Sequence, residues 1–270
     1  MSENGVRLKR EGHIAIVTLD RPGRRNAFNE EMWNGLEDVV LKLEENLPRA
    51  VIVTGAGDKA FCAGFDVNSD NPQVSGLISA VQNNDSRPVE IVMRRIRGIV
   101  DRLVSVPVPV IAAMNGIAYG GGAELATRCD LRIADRGIVI CFSEVRLGLM
   151  TDWGGGVSLT RLVGPSVAAD LILSARQVTA EEALKLGLVN RISEQGKTLE
   201  DSIALAEIIA GNGPRAVRHA LKVIRKTPDL PLKDALDLET KEAANLIASG
   251  ECYHGIMAFL SKEKPEFPDP

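Results

Sequence analysis

The stretch EVRLGLMTDWGGG, residues 144–156, sets Glu144 and Asp152 at the two ends of an apolar run that opens into three glycines. An earlier triplet, Gly120 to Gly122 in NGIAYGGGAELATRCD, is followed by Glu124. Paired carboxylates can divide proton transfer, one accepting a proton while the other gives one. Glycines that open a helix let an oxygen approach unpaired N–H groups at the positive end of the helix dipole, which suits developing negative charge. Each acid also has a plainer reading. Glu124 stands four residues before Arg128, a surface pair worth about 0.3–0.5 kcal/mol. Glu144 reads as the solvent-facing end of the run IVICFSE, and Asp152 as a cap for whatever follows the glycines. A third glycine-bearing stretch, TGAGDKAFCAG, has Ala60 where a dinucleotide fingerprint needs its third glycine and lacks the GK[ST] ending of a phosphate loop.

These residues must be positioned by the elements around them. HIAIVTLD (residues 13–20) is rich in β-branched residues and stops at the turn-forming RPGRRN, so it reads as a strand. NEEMWNGLEDVVLKLEEN follows, with Met32, Leu36, Val39, Val40 and Leu43 at helical spacing and Asn29 as N-cap. RAVIVTG and PVPVIAAMNG are continuous apolar runs ending in glycine, as strands covered on both faces are. LRIADRGIVICFSE reads as two strands about a turn at Asp135 to Gly137, and residues 66–88 as a long mobile loop. From Pro165 the pattern turns helical, with Thr179 and Glu182 as a capping box and Gly187 as a stop. We therefore expect an α/β core over residues 1–195 and a helical region over residues 196–270 whose apolar faces suit subunit contacts. No repeat with an identifiable motif is visible.

With 45% hydrophobic and 25% charged residues in 270, the chain has the composition of a globular protein. A net charge of −4, from 32 basic and 36 acidic residues, offers no field for nucleic acid or an anionic membrane. The N-terminal MSENGVRLKREGH lacks an apolar signal core and no run approaches a membrane span, so a cytoplasmic location is expected. Cys62, Cys129, Cys141 and Cys252 lack CxxC spacing and read as reduced thiols. With three histidines in all, neither a metal site nor a Ser/His/Asp triad is indicated.

Taken in order, LDRPGRRNAF, AFCAGFDV, NGIAYGGGAELATRCDLRIA, FSEVRLGLMTDWGGGVSLTRLVG, the Ala180 to Val189 stretch and GIMAFLSKEKPEF resemble the enoyl-CoA hydratase/isomerase, or crotonase, superfamily over nearly the whole chain. The resemblance implies a spiral of ββα units and a helical C-terminal region used in forming trimers or pairs of trimers. It implies an acyl-CoA thioester substrate, with coenzyme A entering as part of that substrate and no separate cofactor. It assigns the oxyanion-binding amides to Phe65 and Gly121 and the acid pair to Glu124, which orients and deprotonates water, and Glu144, which protonates the α-carbon. The implied reaction is syn hydration of a 2-enoyl-CoA. Asp152 stands where dienoyl-CoA isomerases and the dehalogenase branch carry an Asp, so double-bond isomerisation by Glu144 and Asp152 is the alternative. Dehalogenation is disfavoured because Glu144 stands where that branch has a Trp. Thioester hydrolysis and a non-catalytic RNA-binding role are the remaining readings.

For the coenzyme, the resemblance points to Arg24 and Arg25 for the phosphates and to the backbone around Ala63 and Asp66 for the adenine end. Phe259 and Lys262 match residues that line the pocket and reach the coenzyme, often from a neighbouring subunit. Trp153 is either a core aromatic or a wall of the acyl pocket, and Ser143 replaces the usual proline before the second glutamate. Residues 66–105, which wall the acyl pocket in relatives, carry no pattern that names the acyl group.

Overall fold

A computed structural model of the chain describes residues 5–68 and 70–269. An antiparallel pair, β1 (Val6–Glu11) and β2 (Ile14–Leu19), leads into α1 (Glu30–Glu45). Asn29 caps α1 by accepting from the Met32 N–H, a contact typically worth about 1 kcal/mol. The face expected from the helical spacing is buried, from Met32 through Leu43.

Three further units follow, each contributing one strand to each of two sheets. They are β3 (Ala50–Gly55), β4 (Ala60–Cys62), α2 (Pro72–Asn83) and α3 (Arg87–Ser105); β5 (Val110–Met114), β6 (Ile117–Tyr119) and α4 (Gly121–Arg128); and β7 (Leu131–Asp135), β8 (Val139–Cys141) and α5 (Gly155–Val163). After α6 (Pro165–Ser174) come β9 (Val178–Thr179), α7 (Ala180–Lys185), β10 (Arg191–Ser193) and α8 (Thr198–Ala210). The large sheet runs β1-β2-β3-β5-β7-β10 and the small one β4-β6-β8-β9, with β3, β5 and β7 parallel neighbours in the first and β4, β6 and β8 in the second. The chain thus climbs from one sheet to the other in each turn of a spiral. That stacks the ends of β4, β6 and β8, where the glycines and acids lie.

The central strands β3 and β5 are almost wholly apolar because both faces of the large sheet are covered. One face packs with α1, α3, α4 and the small sheet in a core that includes Trp33, Phe61 and Leu103. On the other, Leu205 and Ala206 of α8 pack against Ile16, Ile52, Ile111 and Ile133. α8 therefore closes the sheet although it lies beyond the boundary expected at residue 195. The chain ends in α9 (Pro214–Lys226), α10 (Leu232–Ala248) and α11 (Glu251–Ser261), with α9 and α11 both packed on α10. Among the described residues no helix is long and apolar enough to cross a membrane.

Two expectations need correction, for residues 66–88 and for the region after Pro165. Most of residues 66–88 are helical rather than a loop: Asn71 caps α2 through the Gln73 N–H, Pro72 fits its first turn, and Asn84 ends it in the left-handed region at φ 48°. Ser75, Ser79, Gln82 and Asn83, which helped suggest a loop, lie on the exposed side of that helix, while Ser69 of the same stretch lies outside the described residues. β7 and β8 form about the turn at Asp135 to Gly137 as expected, and because they belong to different sheets that turn carries the chain from one sheet to the other. The region after Pro165 also holds β9 and β10, which at two and three residues are too short to show any period.

Candidate active site

Two backbone segments meet at the ends of β4 and β6. The Ala63 N–H donates to the Arg25 carbonyl (3.0 Å), the Phe28 N–H to Gly64 (2.8 Å) and the Asp66 N–H to Phe28 (2.9 Å), which fixes the strand on either side of Phe65. The Phe65 N–H itself has no acceptor among the described residues. Gly121, first residue of α4, has its N–H equally unengaged, as the geometry of a helix start requires. The segments touch backbone to backbone: a methyl group on Gly122 would stand 2.1 Å from the Cys62 carbonyl oxygen. Two open amides held this way can receive a thioester oxygen that becomes an oxyanion.

Glu124, in the first turn of α4, is fully buried. One carboxylate oxygen accepts from the Asp152 N–H (3.2 Å), the other from Trp153 (3.0 Å) and Gly155 (2.8 Å). The surface-pair reading fails, because Arg128 turns instead to Asp101 (2.5 Å) and the Trp153 carbonyl. Glu144 opens a 3₁₀ turn after β8, and it too is buried rather than solvent-facing. Its Oε1 lies 3.7 Å from where a Cβ on Gly120 would sit, beside the amide of Gly121. Neither of its carboxylate oxygens has a donor among the described residues.

Burial, then the charge of Glu144, pushes the Glu124 carboxyl up to about 8, and burial raises Glu144 as well. Because the two carboxyls interact, the raised value belongs to the pair rather than to either residue. Three N–H donors favour charge on Glu124, and their lack favours the proton on Glu144. Asp152 is half-buried, and burial followed by the Glu144 charge raises it to about 6. A cavity of about 860 Å³ opens from Asp152 and Leu149 between α2 and α3.

A model of the enoyl-CoA hydratase/isomerase family matches residues 9–270. The chain belongs to this family. It is 37% identical to YngF of Bacillus subtilis over 257 residues, covering 93% of each chain, and 33% identical to the short-chain-enoyl-CoA hydratase of Clostridium acetobutylicum, covering 98% of each. The crystal structure of an enoyl-CoA hydratase from Bacillus anthracis superposes with a TM-score of 0.89 at 32% identity, covering 97% of this chain and 98% of that one. The α/β spiral is thus the fold of the hydratase/isomerase family.

The other residues singled out in the sequence are spread more widely. Arg24 is exposed and paired with Asp70 (2.8 Å), while Arg25 is exposed in the left-handed region at φ 51°. Asp66 has its N–H on Phe28, its carbonyl accepting from Asn71 (2.7 Å) and its buried carboxylate on Arg21, so its backbone is engaged within the chain. Burial alone would raise that carboxyl, but Arg21 and Asn68 hold it below the usual range. Trp153 is a core residue and is not among the residues lining the cavity at Asp152: its indole packs edge-on to Trp33, with ring centroids 4.6 Å apart, and lies against Gly121. Phe259, 82% exposed, and Lys262 stand on and just after α11, uncovered by the chain itself.

Three supporting residues escaped the sequence reading. Arg21 joins the Ala27 carbonyl to Asp66 behind Phe65. Asn26, buried at φ 58°, donates to the Ala60 carbonyl (2.8 Å) and accepts from the Arg21 N–H. Arg146 donates to the Ala175 carbonyl (2.6 Å), tying down the turn that Ser143 opens. The first two lie in RPGRRNAF, whose run of cations and an Asn after a Pro-Gly turn was the available signal. Arg146 carried none.

Proposed function

We propose that this protein adds water across the double bond of a 2-enoyl-CoA thioester, with Phe65 and Gly121 holding the thioester oxygen and Glu124 and Glu144 moving the protons. The observation that carries this reading is the buried pair of carboxyls, one rich in donors and the other without any, beside two unengaged amides. The Glu124 carboxylate takes a proton from water as the water oxygen bonds to the β-carbon. Electrons of the double bond pass to the thioester oxygen, where the two N–H groups stabilise the enolate. The Glu144 carboxylic acid then gives its proton to the α-carbon. Glu124 ends protonated and Glu144 charged, and proton return between the facing carboxyls restores the starting state. Loss of one oxyanion donor typically costs about 2.7–4 kcal/mol of transition-state stabilisation.

Double-bond isomerisation is the second reading, favoured by Asp152 with its carboxyl raised to about 6 next to Glu144. Coenzyme A enters with the substrate, and Arg25, whose carbonyl accepts from the Ala63 N–H, lies beside the segment that carries Phe65. The exposed apolar residues Leu232, Ile247, Tyr253, Phe259 and Leu260 support a trimer or pair of trimers in which they are covered, at a cytoplasmic location. The decisive test is incubation with 2-butenoyl-CoA: loss of the conjugated thioester absorbance supports hydration. No loss with that substrate or its longer homologues, alongside an absorbance shift with a dienoyl-CoA, would favour isomerisation.

A further inference from the structure

We propose that Arg128 is a positioning residue for the reaction: held by Asp101, it fixes the loop of residues 152–155 whose N–H groups aim the Glu124 carboxylate at water. The proposal rests on the reading of Glu124 as the base of a hydration. Glu124 and Arg128 stand one turn apart on α4, so both side chains reach the same neighbour. That neighbour is the loop that leads into α5, and the two side chains grip it with opposite chemistry. Glu124 accepts from the Asp152, Trp153 and Gly155 N–H groups, while Arg128 Nη1 donates to the Trp153 carbonyl (3.3 Å). This carbonyl lies between the Trp153 and Gly155 N–H groups that share one Glu124 oxygen, so its orientation sets theirs.

The loop is shaped to admit both side chains. A Cβ on Gly154 would stand 2.0 Å from Arg128 Nη1, and one on Gly155 would stand 2.3 Å from the Glu124 Cβ. The guanidinium is itself fixed from α3: one oxygen of the Asp101 carboxylate accepts from Arg128 Nη2 (2.5 Å), and the other pairs with Arg97 Nε (3.3 Å). With 18% of its side chain exposed, Arg128 is shielded from the solvent screening that weakens surface pairs. N–H donors stabilise the charged form of a carboxylate, so a displaced loop leaves Glu124 harder to ionise. Glu144, from the turn after β8, and Asp152, from the loop, are the titratable groups facing Glu124, and like-charged groups cannot replace the lost donors.

Arg128→Met keeps the packing of the methylene stem and removes the donors. Hydrogen exchange read by mass spectrometry should be about tenfold faster over residues 151–156 in this variant, with β3 and β5 unchanged. For 2-butenoyl-CoA, kcat should fall about tenfold with KM within about threefold, and the acidic limb of the pH profile should rise by about half a unit because the base is harder to charge. Arg128→Lys, which retains the charge and a donor, should recover part of each change. Asp101→Ala, on the half-exposed side of α3, should move the same readouts in the same direction, and it decides the matter if Arg128→Met does not fold. Unchanged exchange in the loop, or faster exchange with an unmoved acidic limb, overturns the proposal. If the unsubstituted protein hydrates no 2-enoyl-CoA, the hydration reading falls instead, and exchange of the loop still decides whether Arg128 holds it.

Discussion

Gly64 lies against Gly121: a methyl group added to Gly64 would stand 2.9 Å from the Gly121 amide nitrogen. Gly64 also sits at φ 88°, where a side chain is strained. The two amides proposed to hold the thioester oxygen depend on this one approach, since Gly64 precedes Phe65. Gly64→Ala should lower kcat by about 10²–10³-fold, the usual loss for a displaced oxyanion donor. Steady-state kinetics with a 2-enoyl-CoA measure it, and an unchanged kcat would remove the two amides from the mechanism.

Glu144 is buried with no hydrogen-bond donor among the described residues and with a second carboxyl opposite, an arrangement that costs stability when it is charged. Its folded pKa lies above its unfolded value, so stability is lost as pH rises from the unfolded value through the folded one. Glu144→Gln cannot ionise and should escape that loss. We expect it to melt about 2–4 °C higher than the parent at pH 8, the effect of roughly 1 kcal/mol in a protein near this size, and to lose this advantage in acid. Its kcat should fall about 10²–10⁴-fold. Calorimetric melting across a pH series tests the first part, and a constant difference at every pH would contradict it.

For the parent enzyme, activity should decline above about pH 8, the elevated value at which the facing pair gives up its proton. The Asp152 charge contributes to that elevation, so Asp152→Asn should shift the alkaline limb to lower pH while hydration stays within about tenfold of the parent. The pH profile of kcat measures this. Selective loss of dienoyl-CoA isomerisation in the same variant would instead make Asp152 a catalytic group.

The indole of Trp153 fills the space between Gly121 and the rings of Trp33 and Phe28, while its N–H backbone group donates to Glu124. Trp153→Ala should cost about 3–5 kcal/mol in urea unfolding, the range for removing a buried large aromatic. A loss below 1 kcal/mol would place the indole outside the core.

The acids and glycines were legible in the sequence because each occupies a local pattern: Glu124 within the turn that three glycines open, Glu144 where an apolar strand ends. Asn29 and Thr179 were legible as caps for the same reason, since a cap and its N–H lie three residues apart. The threefold climb between two sheets was legible only through the family resemblance and from no local pattern. It repeats geometry without repeating residues, and a three-residue strand such as β4 or β8 has no period to read. The choice between readings of Glu124 also lay outside local reach, because its three donors come from a loop some thirty residues away. Likewise α2 was hidden by its polar face, although Asn71 and Pro72 marked its start.

The central claim is that Glu124 and Glu144 add the two parts of water to adjacent carbons from one side. Turnover of a 2-enoyl-CoA in deuterium oxide, with the product resolved by NMR and mass spectrometry, tests this most directly. We expect a 3-hydroxyacyl-CoA carrying one deuterium at the α-carbon, on the same face as the new hydroxyl, and almost none of it with Glu144→Gln. A product of unchanged composition with a moved double bond, or release of free coenzyme A, would contradict it.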